Sequence, residues 1–373
     1  MVVILNLPVR MGQGAISALL INGKYGCRLR PVFLEATMKA VPWKTVPPLP
    51  TILRKVACGG ARMALAGLLF MSLAFEAVAE DSKTTKPPFD GVKRIVFLGD
   101  SITYAGQYVE IVEAWLRTRY PDRQVEFLDL GLPSETVSGL SEEGHAGGKF
   151  PRPDLHERLE RVLAKTKPDL IVACYGMNCG IYLPFAEERF AKYRNGIAQL
   201  RKVCGVHHAK VLHITPPVFD EVKGGHPGYA ATLDRYADWL TSQRKSGWDV
   251  VDTHGPMKRY LAEMRAKDPG FFLAGDGVHC NETGHWLIAK SILLYLGAKD
   301  VADAADAKAL FANHPNGEAV LKLVQHRQRI LKDAWLNDTK HLRPGMNAGI
   351  PLDKAQGMAL DLETQIKKAT DIK

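Results

Sequence analysis

Ile95-Val96-Phe97-Leu98-Gly99-Asp100-Ser101 decides how this chain is read. Four consecutive apolar residues suit a strand buried on both faces, as inside a parallel sheet. The glycine, aspartate and serine after them turn the chain and eject a hydroxyl from the core, placed as a nucleophile. Apolar runs of strand length recur at Arg94 to Ser101, Val125 to Leu132, Leu170 to Met177, Lys210 to Pro217 and Asp249 to His254. Segments of helical period separate them, at Tyr104 to Tyr120, Pro153 to Thr166, Phe185 to Cys204, Pro227 to Ser246, Pro256 to Lys267 and Asn281 to Leu296. The alternation predicts an α/β fold, a three-layer α/β/α sandwich on a roughly five-stranded parallel sheet. Pro153, Pro227 and Pro256 are expected in first helical turns, where a missing N–H costs nothing. Sites in open sheets of this kind form beyond the carboxyl ends of the strands, where Ser101, Asn178 and the loop after Leu132 fall.

The 373 residues, 46% hydrophobic, are enough for a sizeable core, and a net charge of +9 raises the question of a polyanionic partner. The distribution of charge answers it. Residues 1–79 hold nine Lys/Arg and two Asp/Glu, and the rest hold 40 against 38, so the body is nearly neutral and no nucleic-acid partner is expected. The basic front reads as an export signal: Arg54, Lys55 and Arg62 precede the apolar stretch Met63 to Phe75, and Ala77-Val78-Ala79 offers a cleavage site before Glu80. That stretch is short for a permanent membrane span, so no stable anchor is expected after cleavage and the product is periplasmic or secreted. Met38 is one candidate for the true start. The divisions that follow are an N-terminal extension and signal over 1–79, a linker over 80–90, a catalytic domain over 91–300 and a helical C-terminal extension over 301–373. In the extension, Val320, Leu321, Val324, Leu331 and Trp335 make an apolar stripe expected to pack on the catalytic domain, with His326-Arg327-Gln328-Arg329 as a solvated face.

Far downstream of Ser101 lies Asp276-Gly277-Val278-His279, an aspartate and a histidine close enough in sequence to share a loop and meet one serine; Gly176-Met177-Asn178 supplies an amide donor after another apolar run. Together these blocks resemble the SGNH, or GDSL-type, family of serine esterases, a hydrolase family of flavodoxin-like α/β fold. No G-x-S-x-G elbow is present, which disfavours the α/β-hydrolase fold. Taken with the chemistry of acyl transfer, the resemblance implies Ser101 as nucleophile, His279 as base and Asp276 as its orienting partner. It also implies an oxyanion hole from the backbone N–H of Ser101, a backbone N–H of the second block and the Asn178 amide. The second block is Gly131-Leu132-Pro133-Ser134-Glu135-Thr136, with Ser134 where the family generally has glycine; Ser134 is the expected donor and Gly131 the fallback. Gly176 supports the third block. Asp100 is read as bracing the turn rather than as a catalytic carboxylate.

Two further departures concern cysteines. Cys179 stands where the third block usually has aspartate, and Cys280 where proline often follows the histidine. If Asn178 and His279 flank one serine, their neighbours fall within disulfide reach, and a Cys179–Cys280 bridge is one expectation, two unpaired thiols the other. No cofactor and no metal is expected: His207-His208 has no matching acidic cluster, and Gly144 to Phe150 lacks P-loop spacing and reads as a rim of the site. His254 ends a strand and reads as structural, whereas Tyr175, Tyr182, Phe185 and Trp286 are candidates for stacking on sugar rings or for core packing. The reading is an exported esterase acting on small O-acyl groups, acetyl foremost, of carbohydrate, its partner a small-molecule or polysaccharide ester. Its rivals are a lipid ester or thioester hydrolase and a non-catalytic carbohydrate-binding protein of the same fold.

Overall fold

A computed structural model describes residues 89–371. The export signal, its cleavage site, Met38 and most of the linker therefore lie outside the described residues. Five strands, β1 (Arg94–Gly99), β2 (Glu126–Asp129), β3 (Leu170–Cys174), β4 (Lys210–Ile214) and β5 (Asp249–Val251), form one parallel sheet in the order β2-β1-β3-β4-β5. This is the flavodoxin-like order, reversing at β1 and β3, where open sheets carry their sites. The helices are α1 (Ser101–Ala105), α2 (Gln107–Arg119), α3 (Leu155–Thr166), α4 (Glu187–Val206), α5 (Glu221–Gly224), α6 (Tyr229–Ser242), α7 (His254–Lys267), α8 (Glu282–Tyr295), α9 (Ala307–Ala312), α10 (Gly317–Thr339) and α11 (Leu352–Thr370). Packed against the sheet and each other, they make the three-layer α/β/α sandwich.

Each strand stops two to three residues before its apolar run does. The remainder stays buried (Leu130, Tyr175, Met177, Thr215, Thr253) while the backbone turns away to build the loops of the carboxyl edge. Hydropathy reports burial, so it cannot separate the last paired residue from the first loop residue beneath the site. The three prolines follow the same pattern: Pro256 lies in the first turn of α7, whereas Pro153 and Pro227 sit just before the N-caps Asp154 and Gly228.

Residues beyond 300 are built into the same core. Val320, Val324, Leu331 and Trp335 are buried where α10 crosses α2 and the edge strand β2, each such burial contributing about 1.5–3 kcal/mol. One reading of the sequence is corrected here. Of His326-Arg327-Gln328-Arg329, only His326 and Arg329 are exposed. Arg327 and Gln328 turn inward to the fully buried Glu113, to which the Arg117 guanidinium also donates. A buried carboxylate on α2 draws in the donors opposite it, and a single-helix pattern cannot reveal the partner.

Candidate active site

Ser101 opens α1 at the end of β1, where Asp100 is the N-cap: its carboxylate accepts the Ile102 N–H at 2.9 Å. Burial pushes the Asp100 carboxyl up to about 6, against the pull of the Ile102 amide and of His279. Its place is under the turn and not in the cleft. Gly99 is required by space, since a Cβ there would meet the Thr103 hydroxyl at 2.0 Å and the Cys174 carbonyl at 2.8 Å.

The loop carrying Asp276 and His279 is pinned on several sides. Asn281 N-caps α8, its amide N–H donates to the Leu273 carbonyl at 2.7 Å, and the Gly277 carbonyl accepts from Asp220 at 3.0 Å. Gly277, at φ +82°, passes so close to Gly224 that a Cβ would lie 2.5 Å from its backbone. The structure thereby brings three residues from both ends of the domain together: His279 Nε2 lies 2.8 Å from Ser101 Oγ, and His279 Nδ1 2.6 Å from Asp276 Oδ2. Asp276 Oδ1 accepts the Val278 and His279 amides at 2.9 and 2.8 Å. Partial burial pushes the Asp276 carboxyl up, but the His279 ring and these two amides outweigh it and hold it below the usual range. Imidazole and carboxylate are both more than half exposed.

Apart from Ser101, the expected donors sit in the loops that follow β2 and β3. Asn178 is buried, with its Oδ1 accepting the Tyr182 hydroxyl at 2.9 Å and its Nδ2 donating to the Glu135 carbonyl at 3.3 Å. Nδ2 carries two protons, so one remains for the cleft. Ser134 adopts the left-handed φ of +70° that the family's usual glycine takes without strain. Its N–H, like that of Ser101, has no partner among the described residues. Gly131, the fallback donor, is corrected: its N–H is taken by buried Asp129 at 2.9 Å, and it is needed for close approach, a Cβ there lying 2.3 Å from the Tyr104 nitrogen. Gly176, at φ +148°, likewise leaves no room for a Cβ beside Pro216.

The Cys179–Cys280 bridge is also corrected. All four described cysteines are free thiols. Cys179 points to the second block, its sulfur accepting the Val137 N–H at 3.5 Å, whereas Cys280 sits in the bridge with Ala274 against Gly284. The two thiols face different neighbours, and no disulfide joins them. Of the four aromatic candidates for stacking, Tyr175 and Trp286 are buried, leaving only Tyr182 and Phe185 partly exposed.

Sequence reasoning missed the scaffold under the donor loop. Glu135, fully buried, is held bidentately by Arg158 at 2.6 and 2.8 Å and accepts the Tyr175 hydroxyl at 2.6 Å. Burial, with the Asp154 charge added, drives its carboxyl upward, and the Arg158 charge and the Arg158 and Tyr175 hydrogen bonds oppose it. Arg152 is the second omission: paired bidentately with Glu142, it stacks on Tyr182 at 5.2 Å and reaches the Ser134 carbonyl at 3.5 Å. Signals existed only in hindsight, as an arginine in an amphipathic helix gives no hint that it points inward. Among the described residues no group of three or more His, Cys, Asp or Glu side chains is arranged to hold a metal, and no helix is long and apolar enough to cross a membrane.

A serine hydroxyl joined to a histidine–carboxylate pair, facing amide donors at the carboxyl edge of a parallel sheet, defines a site of the serine-hydrolase class. The GDSL-like lipase/acylhydrolase family model matches residues 97–287, more than half of the chain, and the chain belongs to that family, which places it among the ester hydrolases. Solved structures similar to the chain include the following two. A gut microbial diltiazem-metabolizing enzyme is 23% identical over 57% of this chain and 48% of its own, with a TM-score of 0.48, so the chain spans about half of its length. Axe2, an acetylxylan esterase from Geobacillus stearothermophilus, is 21% identical over 55% of this chain and 94% of its own, with a TM-score of 0.42. No curated protein matches the chain.

Proposed function

We propose that this chain is an exported serine esterase that removes small O-acyl groups, acetyl foremost, from carbohydrate through a Ser101 acyl-enzyme. The observation that carries the catalytic half is the unbroken relay from Ser101 Oγ through His279 to Asp276, at 2.8 and 2.6 Å. In the reaction, Ser101 Oγ attacks the ester carbonyl while His279 Nε2 takes its proton, and Asp276 holds Nδ1–H and stabilises the imidazolium. The Ser101 and Ser134 amides and Asn178 Nδ2 receive the oxyanion, a role in which one donor is worth roughly 10²- to 10³-fold in rate. Collapse expels the alcohol with the proton from His279. Water, deprotonated by the same imidazole, then releases the acid and restores the serine.

Export is supported by residues 54–79, with cleavage after Ala79 giving a periplasmic or secreted product. The carbohydrate half is supported by that export signal and by the glycine-rich stretch from Gly144 to Phe150, followed by Arg152, which stacks on the partly exposed Tyr182. The test is hydrolysis of p-nitrophenyl acetate against longer acyl esters and partly acetylated oligosaccharides, with Ser101→Ala as control. Fastest turnover of acetyl esters, abolished by Ser101→Ala, is expected; a preference for long acyl chains would move the assignment to lipid esters.

A further inference from the structure

A cavity lies against the end of the helix that Ser101 opens and the start of the helix that follows His279, and half of its wall comes from beyond the stretch that matches the family. Its volume, about 830 Å³, is within the range of small-molecule sites. The near wall includes Ala105, the last residue of the helix that Ser101 opens, with Glu282 and Thr283, which begin α8 just beyond His279. A helix as short as α1 is only about 7 Å long, so this wall starts within reach of a group bonded to the serine. The far wall is Leu321, Gln325 and Arg329 of α10 with the segment before α9. Leu321, alone of the apolar stripe on α10, is only half-buried, and it lines this space.

The far wall is fastened to the serine's own helix. Tyr104, three residues after Ser101, donates its hydroxyl to Asp333 at 2.9 Å, and the Lys332 ammonium lies 4.1 Å above the Tyr104 ring while donating to the Tyr104 carbonyl. The distance between α10 and Ser101 is thus set by side chains that belong to both. Chemically, the cavity is lined by both acceptors (Glu110, Glu282, Asp306) and donors (Lys308, Gln325, Arg329), with the half-buried Tyr260 ring among them. An acyl chain entering it would strip water from charged groups and return no hydrogen bonds. A polyhydroxylated ring offers donors and acceptors to both sets and an apolar face to the Tyr260 ring.

We propose that this cavity is the subsite for the alcohol half of the ester, that the alcohol is a carbohydrate, and that α10 determines which carbohydrate is accepted. The inference rests on the esterase reading above. Its readout is kcat/KM for partly O-acetylated xylo- and manno-oligosaccharides divided by kcat/KM for p-nitrophenyl acetate. Gln325→Trp and Arg329→Trp, which fill the cavity from its far wall, should each lower that ratio by at least about tenfold, about 1.4 kcal/mol. Lys322→Ala, on the same helix but outside the cavity, should leave it unchanged. Arg329 is exposed, so its variant keeps the test open if Gln325→Trp does not fold. Calorimetric titration of deacetylated oligosaccharide into Ser101→Ala protein should show binding that Arg329→Trp weakens in parallel. An unmoved ratio in both tryptophan variants, or turnover of p-nitrophenyl acetate with no oligosaccharide hydrolysed, overturns the subsite and leaves the esterase standing. Failure of the parent protein on every ester overturns the esterase instead.

Discussion

Two histidine–aspartate pairs stand at the carboxyl edge of this sheet, and they differ in what the second ring nitrogen faces. His279 gives Nδ1 to Asp276 and turns Nε2 to the Ser101 hydroxyl, in the open. His254 has Nδ1 2.9 Å from the Pro216 carbonyl and Nε2 2.9 Å from Asp234, and it is buried. Both of its nitrogens are taken by acceptors, so neither is left to accept a proton from a hydroxyl. The first pair can move a proton and the second can only hold the start of α7 to α6 and to the loop after β4. Residue types alone do not make a base; the identity of the third group does.

The sharpest way to break this contrast is to delete each ring. His279→Ala, like Ser101→Ala, should cut kcat by at least about 10⁴-fold with little change in melting temperature, because the relay acts as a unit and is half exposed. His254→Ala should do the reverse, lowering the melting temperature by several degrees while the folded fraction keeps activity within about an order of magnitude. Equal loss of activity in folded protein from both variants would erase the distinction.

Next in size is the buried pin beneath the donors. Arg158→Met leaves Glu135 charged and unpaired in the core, a loss of about 3–5 kcal/mol in denaturant unfolding. A variant of unchanged stability would show that the pair is not holding the second block. Asn178 comes after it: Asn178→Ala should lower kcat by roughly 10²-fold or more, and Asn178→Asp should lower it further, by setting negative charge beside the developing oxyanion. Tyr182→Phe, which frees the amide to rotate, should cost only about threefold to tenfold. Parent-like activity in Asn178→Asp would remove that residue from the site.

The smallest effect is on pH dependence. Burial raises Asp100 to about 6 and Asp129 to about 7, while Glu110 is raised to about 7 by burial and by the neighbouring Asp129. In the unfolded chain these carboxyls lose their protons near pH 4, so folding is favoured below that point and loses this contribution as pH climbs to about 7. Asp129→Asn keeps an oxygen for the Gly131 N–H and removes the charge, so at pH 8 it should stabilise by on the order of 2 kcal/mol, with the gain vanishing near pH 4. Unfolding curves at the two pH values check the sign; a gain that is the same at both would show that Asp129 does not titrate in this window.

What the sequence determined by itself is whatever periodicity and local chemistry can write down. Five apolar runs between helical segments specified the α/β sandwich, because parallel strands are buried on both faces and show it in composition. Gly99-Asp100-Ser101, Gly176-Met177-Asn178 and Asp276 to His279 marked the loops of the site, since turn geometry and nearby side-chain pairs are local properties. Tertiary structure decided the rest. It left Cys179 and Cys280 as separate free thiols, and turned Arg327 and Gln328 inward to Glu113. It also placed Arg158 under Glu135 and fastened α10 to Tyr104. The hydrogen bonds and ion pairs among these outcomes depend on partners 23 to 229 residues away. A buried polar group is satisfied by whatever the fold brings to it, and no pattern along the chain records that meeting.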